Sequence, residues 1–146
     1  MFDLGGQPET ARDWFRLAEK QAGVARTLLA ARHTIDAWSH AGFATECALK
    51  AAVCRHQRFN RWPSQVERPD LYTHNLTDLM ALAGIDRAQL KRDPVGPAWM
   101  TVLLWRRTET YNPGAMPLKM AEDMCAAALG ANGVLQWLDS RYRLST

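Results

Sequence analysis

The stretch from Gly42 to Ala52 limits the fold of this chain more than any other. Wound as a helix it is apolar on almost every face, and small side chains fill it. A helix of that composition sits at the centre of a fold with neighbours all round. Glu46 and Lys50 are its only charged residues, four apart in the order that favours an ion pair. Two readings of the pair stand side by side. In one it is a buried or interface pair that fixes the register of packed helices. In the other it lends polar groups to a functional cleft.

The flanking sequence supplies the neighbours. A first helix is expected from about Thr10 to Arg32, with Trp14, Leu17, Ala18, Gln21, Ala25, Leu28 and Leu29 recurring at three and four residues. Thr10 suits its N-cap, with Asp13 three residues on. The central helix runs from Thr34, a second capping residue, to about Gln57, and Asp36 suits its positive end. So short a connection makes the two helices antiparallel neighbours. Residues 58–74 hold Asn60, Pro63, Ser64, Pro69 and Asp70 and read as a loop.

A shorter helix is expected from Asn75 to Ala83, stopped by Gly84, with a helical turn within 86–92. Another begins near Pro97 and ends before Asn112, Pro113 and Gly114. The last starts at Pro117 and carries a core stripe of Met120, Met124, Ala127, Ala131, Leu135, Leu138 and Tyr142. No convincing alternating strand occurs. The expected architecture is all-α, an up-and-down bundle of about five helices. It forms one domain over 1–146, with its core at about 10–143 and a short tail at 1–9.

Bulk properties exclude several function classes. The net charge of +3 permits a nucleic-acid or nucleotide partner without requiring one. The longest strongly apolar stretch, Ala98 to Trp105, is far short of the ~20 residues that cross a bilayer. Residues Met1 to Gly6 show neither a basic start nor an apolar signal core. Cys47, Cys54 and Cys125 are odd in number, which argues against a secreted disulfide framework. A cytoplasmic protein with free, buried thiols is expected, with no membrane partner.

Four segments carry a family resemblance. Residues Ala11 to Ala18 resemble the opening helix of the HEPN domains, small α-helical bundles of prokaryotic toxin–antitoxin, defence and nucleotidyltransferase-associated proteins. Ala44 to Ala51 resembles their "QxxEKALKA"-like second helix, and His74 to Leu79 their "HxLxxL" helix. Trp105 to Pro113 resembles their late "W…RYxP"-like segment. The pieces occur in the family's order and span Ala11 to Pro113.

The resemblance implies a bundle that pairs, commonly as a homodimer, around a composite cleft. In the family's ribonucleases an Arg followed after four to six residues by His works there without metal. The Arg stabilises phosphate charge and the His handles a proton, as suits a guanidinium fork and an imidazole. Here Arg106 is followed at that spacing by Tyr111, and no histidine follows His74. Tyrosine, with an ordinary pKa of about 10, is a poor base at neutral pH. The residue before Tyr111 is Thr110, where the "RYxP" variant has Arg.

The expected role is therefore a non-catalytic HEPN-like module. It would bind nucleotide, RNA or a cognate partner, such as a nucleotidyltransferase-like or antitoxin protein, in a prokaryotic defence or toxin–antitoxin-type system. The rival roles are two. One is a divergent metal-independent ribonuclease using Arg106 or Arg107 with Tyr111, His40 or His74. The other is a structural dimer that docks another protein.

Other clusters have bland and functional readings. Arg106 and Arg107 can complement a helix C-terminus, or bind phosphate. Arg55, His56, Arg58, Phe59, Asn60, Arg61 and Trp62 mix cations with rings, as single-stranded RNA sites do; Arg58, Arg61 and Trp62 are the binding candidates. The bland reading has Phe59 and Trp62 anchor a loop on the core. His33, Asp36 and His40 share a helical face, but each of the first two has a local role at a helix end. No metal site and no cofactor is expected. Glu46, Lys50, Arg106 and Arg107 complete the candidate binding set.

Overall fold

Thr10 and Asp13 start the first helix, α1 (Ala11–Ala30), as a reciprocal capping box. The Asp13 amide donates to the Thr10 hydroxyl at 3.1 Å, and the Thr10 amide donates to the Asp13 carboxylate at 3.2 Å. Two of the amides that every helix start leaves unpaired are satisfied in this way. The structure is a computed structural model and describes Phe2 and residues 4–146. The N-terminal reading above also rests on Met1 and Asp3, which lie outside the described residues.

After residues 31–33 the chain enters α2 (Thr34–Gln57), and the two long helices pack against each other. Then come a 3-10 turn (Pro69–Leu71), α3 (Leu76–Leu82), the single turn α4 (Arg87–Leu90) and α5 (Gly96–Val102). A second 3-10 turn (Arg107–Tyr111), α6 (Leu118–Leu129) and α7 (Val134–Tyr142) complete the order. Among the described residues every regular element is helical, and no helix is long and apolar enough to cross a membrane.

The central position read from the sequence belongs to α2. It touches α1, α3, α6, α7 and the second 3-10 turn, and every residue from Ala44 to Cys54 is buried. Alanines bring the neighbours close, and Gly42 brings one closer still. A Cβ there would overlap the indole of Trp105, which is itself buried against the helix. At the end of α3, Gly84 has φ +75°, a conformation glycine adopts freely, and lies against the His56 ring.

Several expected boundaries move. The helix expected from Pro97 towards Asn112 stops at Val102. Trp105 leaves it to bury its ring beside Gly42, so the packing of one large ring outweighs further helical turns. Arg106 is then extended, at φ −136° and ψ 128°, and Arg107 opens the 3-10 turn. The helix-dipole reading of these arginines is thereby corrected: neither lies in the last turn of an α-helix.

The last helix is broken into α6 and α7 around Gly130, Asn132 and Gly133, all poor helix formers. Met120 and Ala131 drop out of its stripe into solvent. On α1 the fully buried face is Ala11, Phe15, Ala18, Ala22 and Ala25. Trp14, Leu17, Leu28 and Leu29 pack at its margins. Thr34 does not cap α2: its hydroxyl donates to the Met116 carbonyl at 2.8 Å, and His33 takes the cap position.

Candidate functional site

Glu46 is 1% exposed, in the middle of the helix that everything else packs around. A carboxylate so placed needs donors, and two side chains supply them. Lys50, one turn along α2, donates from Nζ to Oε2 at 3.0 Å. His74, in the segment leading into α3, places Nδ1 3.0 Å from Oε1 and 3.1 Å from Oε2. A carboxylate only accepts, so Nδ1 carries a ring proton, and in the neutral ring Nε2 keeps its lone pair. The His74 side chain is 56% exposed. Glu46 therefore holds one imidazole in a fixed tautomer at the surface of the bundle.

That imidazole lines a pocket of about 220 Å³ together with Asn75, Thr77, Arg106, Arg107 and Thr108, over a floor that includes Trp105. Trp105 explains the arrangement, since its burial pins the start of the arginine segment against α2. Arg106 donates from Nη1 to the carbonyls of Leu103, at 2.9 Å, and Trp105, at 2.8 Å. Arg107 stacks over Phe43, 5.3 Å from the ring centre. No acidic side chain lines the pocket. Two guanidinium groups and a histidine whose carboxylate partner, Glu46, is buried behind it suit a phosphate-sized anion.

On its other side the same carboxylate borders a larger cleft through Lys50. This cleft, of about 990 Å³, is lined by Trp14, Trp62, Tyr72, Lys50 and Arg61, with Glu9, Asp13 and Glu67 among its acidic residues. Trp62 packs edge-on to Trp14, with ring centres 5.2 Å apart, and stands 6.3 Å from Tyr72. Its amide donates to the Glu9 carbonyl at 2.6 Å. Arg68 forks onto Asp70 at 2.9 and 2.7 Å and also donates to Gln57 at 3.0 Å. The loop of residues 58–74 is thus tied to the bundle, as the anchored reading expects.

The candidate residues separate accordingly. Glu46 lines neither cavity but joins them through its bonds to His74 and Lys50, Arg106 and Arg107 line the smaller, and Lys50, Arg61 and Trp62 line the larger. Arg58 is the left-handed cap of α2 and lines neither. Tyr111 is 83% exposed and also lines neither, so it is not a packing residue at a helix end. His40 Nδ1 lies 2.7 Å from Gln21 Oε1. Among the described residues no three His, Cys, Asp or Glu side chains converge as a metal site. All three cysteines are free and buried, and burial pushes the Cys47 and Cys54 thiols up to about 12.

Trp14 and Tyr72 belong to the larger cleft without having been singled out for it in the sequence. The available signal was the position of Trp14 on α1 at the edge of the buried face. Compared with known proteins, the chain matches no family model, no curated protein and no solved structure.

Proposed function

We propose that this chain is a HEPN-like helical module that binds single-stranded RNA or a nucleotide through the pocket of His74, Arg106 and Arg107. The observation that carries the reading is the convergence of two arginines and an oriented histidine in a pocket without acids. Guanidinium groups recognise phosphate oxygens in bidentate fashion, and imidazole adds a further donor or acceptor. The family resemblance of the four segments supports the same reading. The module would then act in a prokaryotic defence or toxin–antitoxin-type system, with a nucleotidyltransferase-like or antitoxin protein as cognate partner.

Pairing into a homodimer belongs to this proposal. The apolar residues of α2 are used inside the chain, whereas Met100, Leu104 and Tyr111 are 65, 67 and 83% exposed, on α5 and the segment after it. A second copy seated there would lie next to the arginine segment.

The hydrogen bonds of Glu46 to His74 favour a second reading, metal-independent RNA cleavage. In it, His74 Nε2 takes the proton of a ribose 2′-hydroxyl as that oxygen attacks phosphorus. Arg106 and Arg107 stabilise the charge on the phosphoryl oxygens. The bond to the 5′ oxygen breaks, that oxygen gains a proton, and a 2′,3′-cyclic phosphate is left. Glu46 holds the imidazole in the tautomer that frees Nε2.

Labelled single-stranded RNA mixed with purified protein in excess chelator tests both readings. Binding without cleavage that falls in the Arg106→Ala/Arg107→Ala variant supports the first. Cleavage abolished by His74→Gln, with binding retained, supports the second. Absence of RNA and nucleotide binding at micromolar protein overturns both.

A further inference from the structure

The larger cleft differs from the arginine pocket in both charge and shape. Against Lys50 and Arg61 it sets three carboxylates, Glu9, Asp13 and Glu67. All three are engaged. Arg61 pairs with Glu9 at 3.4 Å, Asp13 serves the capping box, and Glu67 accepts from the Ser64 amide at 3.0 Å. They still give the cleft an acidic balance that repels phosphate. A cationic ligand is disfavoured too, because the Lys50 ammonium already stands 5.0 Å over the Trp14 ring. What remains is a flat, uncharged body that packs on Trp62 and Tyr72.

Lys50 adds the polar requirement. Its side chain is only 9% exposed, and its ammonium carries three donors. One goes to Glu46, and among the described residues the others have no hydrogen-bonded partner. A group entering the cleft satisfies them by presenting an oxygen acceptor.

We infer that this cleft is a nucleobase subsite selective for bases with a keto oxygen, the ring stacking on Trp62 while the oxygen accepts from Lys50 Nζ. The inference rests on the RNA-binding reading above and adds which bases are preferred. Uracil presents two keto oxygens, whereas adenine has none and shows an amino group on its pairing edge. Glu46 joins the two sites physically. Lys50 Nζ and His74 Nδ1 lie 3.0 and 3.1 Å from the same Oε2, so they are at most 6.1 Å apart. A base held in the cleft thus places its own or a neighbouring phosphate beside the His74 pocket.

The test measures binding of eight-nucleotide oligo(U) and oligo(A), labelled at one end. The proteins are the full chain, Trp62→Ala, Tyr72→Ala and Arg106→Ala/Arg107→Ala, each checked for folding by circular dichroism. Oligo(U) is expected to bind the wild type about tenfold more tightly than oligo(A). The loss of one stacking ring should weaken oligo(U) by about tenfold and erase the preference. Tyr72 is 44% exposed, and its loss removes one hydrogen bond of the loop, donated by its hydroxyl to the Pro63 carbonyl at 2.7 Å. The arginine double variant should weaken both oligomers alike. Equal binding of the two by wild type, unchanged in folded Trp62→Ala and Tyr72→Ala but lost in the arginine variant, overturns the subsite and leaves the RNA reading intact. If neither oligomer binds the wild type, the RNA reading falls and the subsite with it.

Discussion

Replacing Lys50 by Met would expose the energetic role of the central ion pair. Glu46 is 1% and the Lys50 side chain 9% exposed, so the Glu46 carboxylate cannot turn to bulk water without moving its helix. Removing one partner of a buried pair costs about 3–5 kcal/mol, because the other charge is left uncompensated. His74 still reaches both carboxylate oxygens in Lys50→Met, which places the expected loss at the low end, about 3 kcal/mol. Glu46→Leu is expected to lose less, about 2 kcal/mol, since the long Lys50 stem lets its ammonium reach the cleft. The double variant Glu46→Leu/Lys50→Met should return to within about 1 kcal/mol of wild type, because an apolar pair can replace a buried ionic one. Urea unfolding followed by far-UV circular dichroism measures all three. Single losses each below about 1 kcal/mol, the size of an exposed pair, would refute the burial argument. So would a double variant whose loss equals the two single losses added together. The double variant also releases His74, so it should keep the fold while losing RNA binding or cleavage.

Other consequences can be checked separately. Gly42→Ala drives a methyl group into the Trp105 indole; overpacking should cost about 2 kcal/mol in urea unfolding, and RNA affinity should fall as the arginine segment shifts. The thiols of Cys47 and Cys54 are held up to about 12 by burial, so a thiol reagent at mild alkaline pH should label them in urea and leave them unlabelled in the native protein. Asp13 is held below the ordinary carboxylate range by the Glu9 amide first and by Thr10 after it. Its contribution is therefore present above the unfolded pKa and lost as pH falls through the lower folded value. The stability gap between wild type and Asp13→Asn should accordingly close in strong acid, and a gap independent of pH would contradict this.

The residues that spoke most clearly in the sequence were those with periodic surroundings. An apolar helix with small side chains and two charges could only be central, and α2 is the hub of the fold. The capping box at Thr10 and Asp13 was also legible, since it depends on four consecutive residues. Long-range contacts were not. His74 was visible as part of a motif, but its bonds to Glu46 span 28 residues and follow from the path of the intervening loop. The end of α5 was hidden for a related reason: the local pattern continues, and only the space beside Gly42 draws Trp105 out of helix. The core stripe of the last helix failed at Ala131, where the break near Gly130 ends α6, and at Met120, because the buried face of α6 runs through Ala121, Met124, Cys125 and Ala128. Trp14 read as core by its spacing, and only the fold sets it against Trp62 to form a cleft.

The central claim is that Arg106 and Arg107 contact phosphate in a pocket organised by Glu46 and His74. Fluorescence anisotropy of a labelled single-stranded RNA, titrated over a range of salt concentrations, tests it directly. The wild type should lose affinity as salt rises, with a logarithmic slope of about 0.7 for each phosphate contacted. Arg106→Ala/Arg107→Ala should bind more weakly and show a slope shallower by about 1.4, two contacts fewer. Equal affinity and equal slope for the two proteins would contradict the account.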